Sequence, residues 1–248
     1  MGIELKYASR MLAVDGLVNA RDLGGLLCND GSVTPSGVFY RSGSIDSVTA
    51  AGWEQLRASG IRTIVDLRQP GERSLDSSPR PDWITTVAMD LHGLDGNWEF
   101  WKEYWEKDLM GTALPFLSQL KEMPERAGAA LSAIVNGQPG GVLFHCVGGR
   151  DRCGMITMLL LMVADTDIDE IAEDYLESDR VDAIYDDPCC PDDKPDPEEV
   201  CRRFGTTSEE AFRKVVTSLD LDKFLAESGM SPSDQLAFRS WRGNIPRG

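Results

Sequence analysis

Val142-Leu-Phe-His-Cys-Val-Gly-Gly-Arg-Asp-Arg-Cys-Gly-Met155 decides how this chain is read. Val142 to Phe144 is a short apolar run, the pattern of a buried strand, and Met155 to Val163 is apolar for long enough to form a buried helix. Between them lie Cys146, Gly148, Gly149, Arg150 and Arg152. A strand that turns through glycines into a helix aims a row of backbone N–H groups at one point, at the positive end of the helix dipole, and such a point binds an oxyanion. Cys146 opens this loop, which places its sulfur beneath the anion; Arg152 closes it, and its planar fork matches two phosphate oxygens. The same field favours thiolate over thiol, so Cys146 is expected to be nucleophilic at neutral pH. A structural Cys in a Gly-rich turn would explain the glycines but neither arginine.

Length and composition narrow the classes around that loop. A chain of 248 residues can bury a sizeable core, and no linker or internal repeat divides it, so residues 1–248 are expected to form a single domain. A net charge of −16 argues against a nucleic-acid surface and against stable docking on anionic membranes. No apolar run is long enough to span a bilayer, and Met1 to Arg10 lack the apolar stretch of a signal peptide. The six cysteines make neither a disulfide framework nor a paired C-x-x-C zinc pattern, so the default is a reducing cytoplasm with no metal or other cofactor, non-classical export aside. The two histidines, His92 and His145, are too few for a histidine-rich dinuclear metal phosphatase or a histidine-nucleophile enzyme; all-carboxylate metal sites stay open.

The central stretch resembles the loop of the cysteine-dependent protein tyrosine phosphatases, His-Cys-x5-Arg-Ser/Thr-Gly. Here it runs His145-Cys146, Val147 to Asp151, then Arg152-Cys153-Gly154, with Cys153 where the family carries a hydroxyl. Other segments resemble one bacterial branch, the tyrosine/serine protein phosphatases typified by a secreted mycobacterial enzyme. These are Asn19-Ala-Arg-Asp22, the Arg41-Ser42 that ends a strand, and Gly60-Ile-Arg-Thr-Ile-Val-Asp-Leu-Arg68. The resemblance implies an α/β fold of tyrosine phosphatase type, a small mostly parallel sheet flanked by helices. It also implies that Arg21, Asp22, Arg41, Asp66 and Arg68 hold the scaffold, although Arg21 and Asp22 read by themselves could be a surface pair.

Along the chain, Gly37 to Gly43 reads as a strand, Thr49 as the N-cap of a helix over 50–59, Ile61 to Leu67 as a parallel strand and Ile84 to Met89 as another. Trp98, Trp101 and Trp105 fall on one helical face. That face is either core or the underside of a helical lid inserted at 97–122, and the resemblance favours the lid. Helices follow at 124–136, after Asp165-Thr-Asp-Ile-Asp169, and at 208–218, 220–227 and 231–241, the last three expected against the sheet. Asp165 to Asp169 reads as helix capping rather than as an aspartyl-phosphate motif. Cys189-Cys190 lie in an Asp/Pro-rich loop, exposed and unconstrained on the preferred reading.

The expected chemistry is phosphomonoester hydrolysis through a phosphocysteine. Cys146 attacks phosphorus, while Arg152, Cys153 and the loop backbone at Val147, Gly148, Gly149 and Arg150 hold the phosphate, inorganic phosphate included. His145 supports the thiolate. Asp151, inside the loop, is favoured as the general acid, with Asp90 and Asp95 as runners-up and pairing with Arg150 or Arg68 as its bland role. The substrate would be a phosphoprotein or another phosphomonoester. Arg150, as a second cation, keeps a phosphoinositide phosphatase open, and Cys153 keeps open a weakly active phosphate-binding pseudo-phosphatase.

Overall fold

The computed structural model describes residues 9–74, 76, 78–181 and 195–245. Among these, five segments build one sheet: Arg21–Asp22 (β1), Phe39–Ser42 (β2), Ile61–Asp66 (β3), Thr85–Ala88 (β4) and Gly141–His145 (β5). Their order is β1-β2-β5-β3-β4. β5 is central and wholly buried, flanked in parallel by β2 and β3; β4 also runs parallel, and β1 closes one edge antiparallel. The strands that read as continuous apolar runs are those covered on both faces, as parallel pairing requires. Alternation along the strands divides the core. Phe39, Val65, Val142 and Phe144 face one layer of helices, and Tyr40, Ile64 and Leu143 face the other with Trp53 and Leu56.

Register sets the site. Ser42, His145 and Asp66 stand side by side at the carboxyl ends of three parallel strands. The chain leaves β5 there, and ligand sites of open α/β sheets lie at that end. The following helix, Asp151–Val163, begins earlier than its apolar run, so Asp151, Arg152 and Cys153 occupy its first turn. From Arg152 to Leu161 every residue of it is buried, the behaviour of a helix apolar all round.

Local signals read from sequence are met closely. The Thr49 side chain accepts from the Gly52 N–H and opens Ala50–Ala58, which ends before Gly60 at φ +78°. Asp167 caps Ile168–Glu177, the capping role foreseen for that acidic run. Two expectations need correction. The tail helices Ser208–Ser218, Leu221–Glu227 and Pro232–Arg239 do not lie on the sheet; they form a further layer over other helices. Trp241, beyond them, reaches through to it, its ring 5.1 Å from that of Phe39 and its Nε1 donating to the Leu160 carbonyl. The tryptophan face is split: Trp101 is buried, whereas Trp98 and Trp105 are 45% and 53% exposed and pack on each other, because the helix Trp98–Glu106 turns Trp101 inward with Phe100 and Tyr104 half-buried beside it. Two short helices, Pro70–Arg73 and Pro197–Arg203, had no readable periodicity. Cys189 and Cys190 lie outside the described residues.

Candidate active site

Four consecutive carbonyls of the loop are tied to the scaffold. Val147 O accepts from the Ser44 N–H at 2.7 Å, and Gly148 O from Asn19 Nδ2 at 2.9 Å. Arg41 Nη2 donates to Gly149 O at 2.7 Å and to Arg150 O at 3.1 Å. In a trans peptide the N–H points opposite to the C=O, so the amides of Gly148, Gly149, Arg150 and Asp151 turn away from the scaffold. Gly149 is required here: at φ +72° a Cβ would lie 2.5 Å from the Ser42 backbone.

The arginine behind the loop is itself fixed by a buried acid. Asp174, 1% exposed, takes Arg10 at 2.9 Å, Arg21 at 3.0 Å and Arg41 at 2.7 Å. Burial disfavours its charge, but the three guanidinium groups outweigh burial and hold the carboxyl well below the usual range. Arg21 is therefore no surface residue, and the Asp22 carboxylate accepts from the Gly24 and Gly37 N–H groups in a turn. On the other side of β5, Asp66 and Asp46 grip Arg68, with contacts of 2.9 Å and 2.6 Å. His145 Nδ1 lies 3.1 Å from the Cys146 carbonyl and its Nε2 lies 3.7 Å from Asp66; burial lowers its pKa, which leaves the ring neutral.

Cys146 sits at the head of β5, 3% exposed. Its thiol is pulled down to about 6, chiefly by the hydrogen bond from Cys153, with Arg152 adding to it and burial opposing. Cys153 Sγ is 3.5 Å from Cys146 Sγ, and its own thiol is pushed well above the ordinary value by burial. The residue standing where a hydroxyl was expected thus donates to the thiolate. Arg152 presents its fork to Glu72 on the short helix Pro70–Arg73, at 2.5 Å and 2.8 Å. Glu72 also accepts from the Gln69 N–H, which fixes the carboxylate that fixes Arg152.

Arg150 differs from its expected role as a free cation. It is 5% exposed, bonded to Asp179 and the Gly111 carbonyl, 2.9 Å from Asp151, and stacked 5.0 Å over the Tyr175 ring. Asp151 lines a small, solvent-open cleft with His92, Trp101, Met110, Gly111, Thr112, Pro115, Phe116 and Gln119. Most of that lining, from Trp101 to Gln119, comes from the segment at 97–122. Asp90 does not line that cleft: its carboxylate accepts from the Gly93 N–H, and Arg126 reaches its carbonyl. Asp95 is exposed on the 3-10 turn Leu94–Gly96.

Glu72, Asp174 and His92 were not singled out as site residues from sequence. Asp174 had a signal, since it shares an apolar face with Ile171 and Tyr175 at helical spacing. Glu72 had none, because its partner lies eighty positions on. The His92 ring packs at a tilt against Trp101, centroids 4.8 Å apart, and burial keeps it neutral, with Arg152 adding to the effect.

A cysteine-bearing glycine loop between a parallel strand and a buried helix places the chain among α/β proteins with a mostly parallel sheet. Among these, a model of the Tyrosine phosphatase family matches residues 12–241, so the chain belongs to that family, one of cysteine-based protein phosphatases. A provisionally named tyrosine-protein phosphatase of Cupriavidus necator is 32% identical over 187 residues, 70% of this chain and 65% of that protein. A tyrosine-protein phosphatase of Nostoc commune is 29% identical over 57% of this chain and 48% of its own length. PtpB of Mycobacterium tuberculosis, a triple specificity protein phosphatase, is also 29% identical, over 57% of this chain and 61% of its own. The matches thus span less than two thirds of each relative, and a special likeness to the mycobacterial branch is not supported beyond shared family membership. A crystal structure of P. aeruginosa TpbA in complex with pTyr aligns over 78% of this chain and 87% of its own, at 14% identity and a TM-score of 0.38. At that level it says nothing about the site. Among the described residues no helix is long and apolar enough to cross a membrane.

Proposed function

We propose that the protein is a phosphotyrosine-protein phosphatase acting through a phosphocysteine. The observation that carries this reading is one arrangement: a thiol pulled down to about 6 beside the Arg152 fork, on a loop whose carbonyls are all tied away. Cys146 would attack phosphorus while Arg152 and the amides take the equatorial oxygens, where charge is greatest in the transition state. Glu72 would keep the fork in plane for phosphate. Cys153, donating to Cys146, would stabilise the thiolate as it leaves in the second step, which favours turnover over a binding-only role. Arg150 is held by Asp179, Asp151 and Gly111, so a second phosphate on the substrate gains no free cation from it. That favours a phosphoprotein over a phosphoinositide. The test is initial rates on phosphotyrosine peptide, phosphoserine peptide and phosphoinositide, with chelator present throughout. Turnover fastest on phosphotyrosine and unaffected by chelator is expected; no turnover would overturn the reading, and loss with chelator would indicate a metal enzyme.

Asp151 is the proposed general acid, being the carboxylate in the cleft before the loop. Asp151→Asn should slow aryl phosphates with basic leaving groups by about 10²–10⁴-fold and spare those with acidic leaving groups. An equal loss on both would make Asp151 a partner of Arg150 only.

A further inference from the structure

His92 lines the cleft with Asp151, is 8% exposed, and its Nδ1 is buried without a hydrogen-bond partner among the described residues. Its place is fixed from several sides. The Met89 N–H donates to the Asp66 carbonyl at 2.7 Å, so the chain after β4 still follows the end of β3. Gln119 Nε2 then donates to the Leu91 carbonyl at 2.9 Å, and Trp101 Nε1 to the His92 carbonyl at 2.8 Å. The ring packs against Trp101. Backbone and ring are both held, yet a ring nitrogen is left over. A leucine or phenylalanine would fill the same space without the cost of an unpaired buried nitrogen. Such atoms are ordinarily satisfied, and a water does this where the site is polar and large enough. The cleft is polar at Asp151, Thr112 and Gln119, and its room is about that of one water molecule. Arg150 holds Asp151 Oδ1 at 2.9 Å, while Oδ2 lies beside Gly111 in the same lining. Since the His92 ring is neutral, it offers one donor and one acceptor nitrogen.

We propose that His92, together with Asp151, holds the water that hydrolyses the phosphocysteine on Cys146; this role rests on the phosphatase reading. In that step the water oxygen bonds to phosphorus and the S–P bond breaks. The electron pair of that bond stays on Cys146, which leaves as thiolate. One proton of the water passes to the Asp151 carboxylate. The other O–H donates to the acceptor nitrogen of His92, which takes no proton and sets the direction of the attacking lone pair. A water held at two points is aligned before it reacts, which removes most of the orientational cost of the step. The first step, attack of Cys146 on the ester, uses no water and makes no demand on His92.

The experiment separates the two steps. The full chain turns over a chromogenic aryl phosphate in water containing a small alcohol. Phenol release is followed from the first turnover, and the products are sorted into inorganic and alkyl phosphate. His92→Phe keeps a ring against Trp101 and removes both nitrogens. It is expected to release the first equivalent of phenol at close to the wild-type rate and then to slow by about 10–100-fold, a burst that marks accumulated phosphocysteine. The ratio of alkyl to inorganic phosphate should rise several-fold, because the alcohol does not depend on a held water. His92→Gln, which keeps a hydrogen-bonding side chain, should recover part of the second step. Equal slowing of both steps with an unchanged product ratio would make His92 structural and overturn the proposal, as would wild-type behaviour. If His92→Phe does not fold, by circular dichroism, His92→Leu is measured in its place with the same outcomes. Absence of turnover in wild type would instead sink the phosphatase reading itself.

Discussion

Cys146→Ser is expected to lower turnover of a phosphotyrosine peptide by about 10⁴-fold or more, the scale on which losing a nucleophile acts. The reason is ionisation. The environment that draws this thiol down to about 6 starts from a sulfur that ionises readily, and a serine hydroxyl in the same place stays protonated. Phosphate binding should survive, since the outward carbonyl ties and Arg152 do not involve the sulfur. Calorimetry with inorganic phosphate would therefore show comparable affinity in both proteins. In wild type the rate should rise with pH through about 6 as the thiolate forms. Retention of more than a few per cent of the wild-type rate by the serine variant would overturn the assignment.

Asp174→Asn should cause the largest loss of stability among conservative single changes near the site. Arg10, Arg21 and Arg41 converge on this carboxylate with almost no exposure, so neutralising it leaves buried cations uncompensated. Breaking a buried pair in this way costs about 3–5 kcal/mol. For a chain of this size that is a fall in Tm on the order of 10 °C. Arg41 would also lose its anchor, and with it the hold on Gly149 O and Arg150 O, so residual activity should fall faster than stability. Asp169→Asn on the same helix, 79% exposed, is the control and should move Tm little. The folded pKa of Asp174 is depressed. Its contribution is therefore complete above the ordinary carboxylate range and is lost as pH falls below it. A denaturation series from pH 7 down to 3 should show the wild type losing stability more steeply than Asp174→Asn; parallel curves would mean that the acid is not the keystone of the cluster.

What the chain's residues determine by themselves is local. The strand before Cys146, the apolar helix after it, the Thr49 cap and the acidic cap at Asp167 are legible because each rests on neighbours a few positions apart. The spacing from Cys146 to Arg152 belongs to the same group, since a strand, a loop and a helix N-terminus follow one another in the chain. The partners of those residues were not legible. Glu72 meets Arg152, and Asp174 meets Arg41, across gaps that carry no periodicity, so only the packing of helices around the parallel strands brings them together. The same is true of Arg150, which reads as a second cation beside the glycine loop until Asp179, Gly111 and Tyr175 close around it. Trp98, Trp101 and Trp105 share a face in sequence, yet which of them is buried depends on where the helix rests, against His92. Cys153 shows the division most directly. Its place after Arg152 is a fact of sequence, but its 3.5 Å approach to Cys146 exists because helix Asp151–Val163 starts at the loop and turns that side chain back under the strand end.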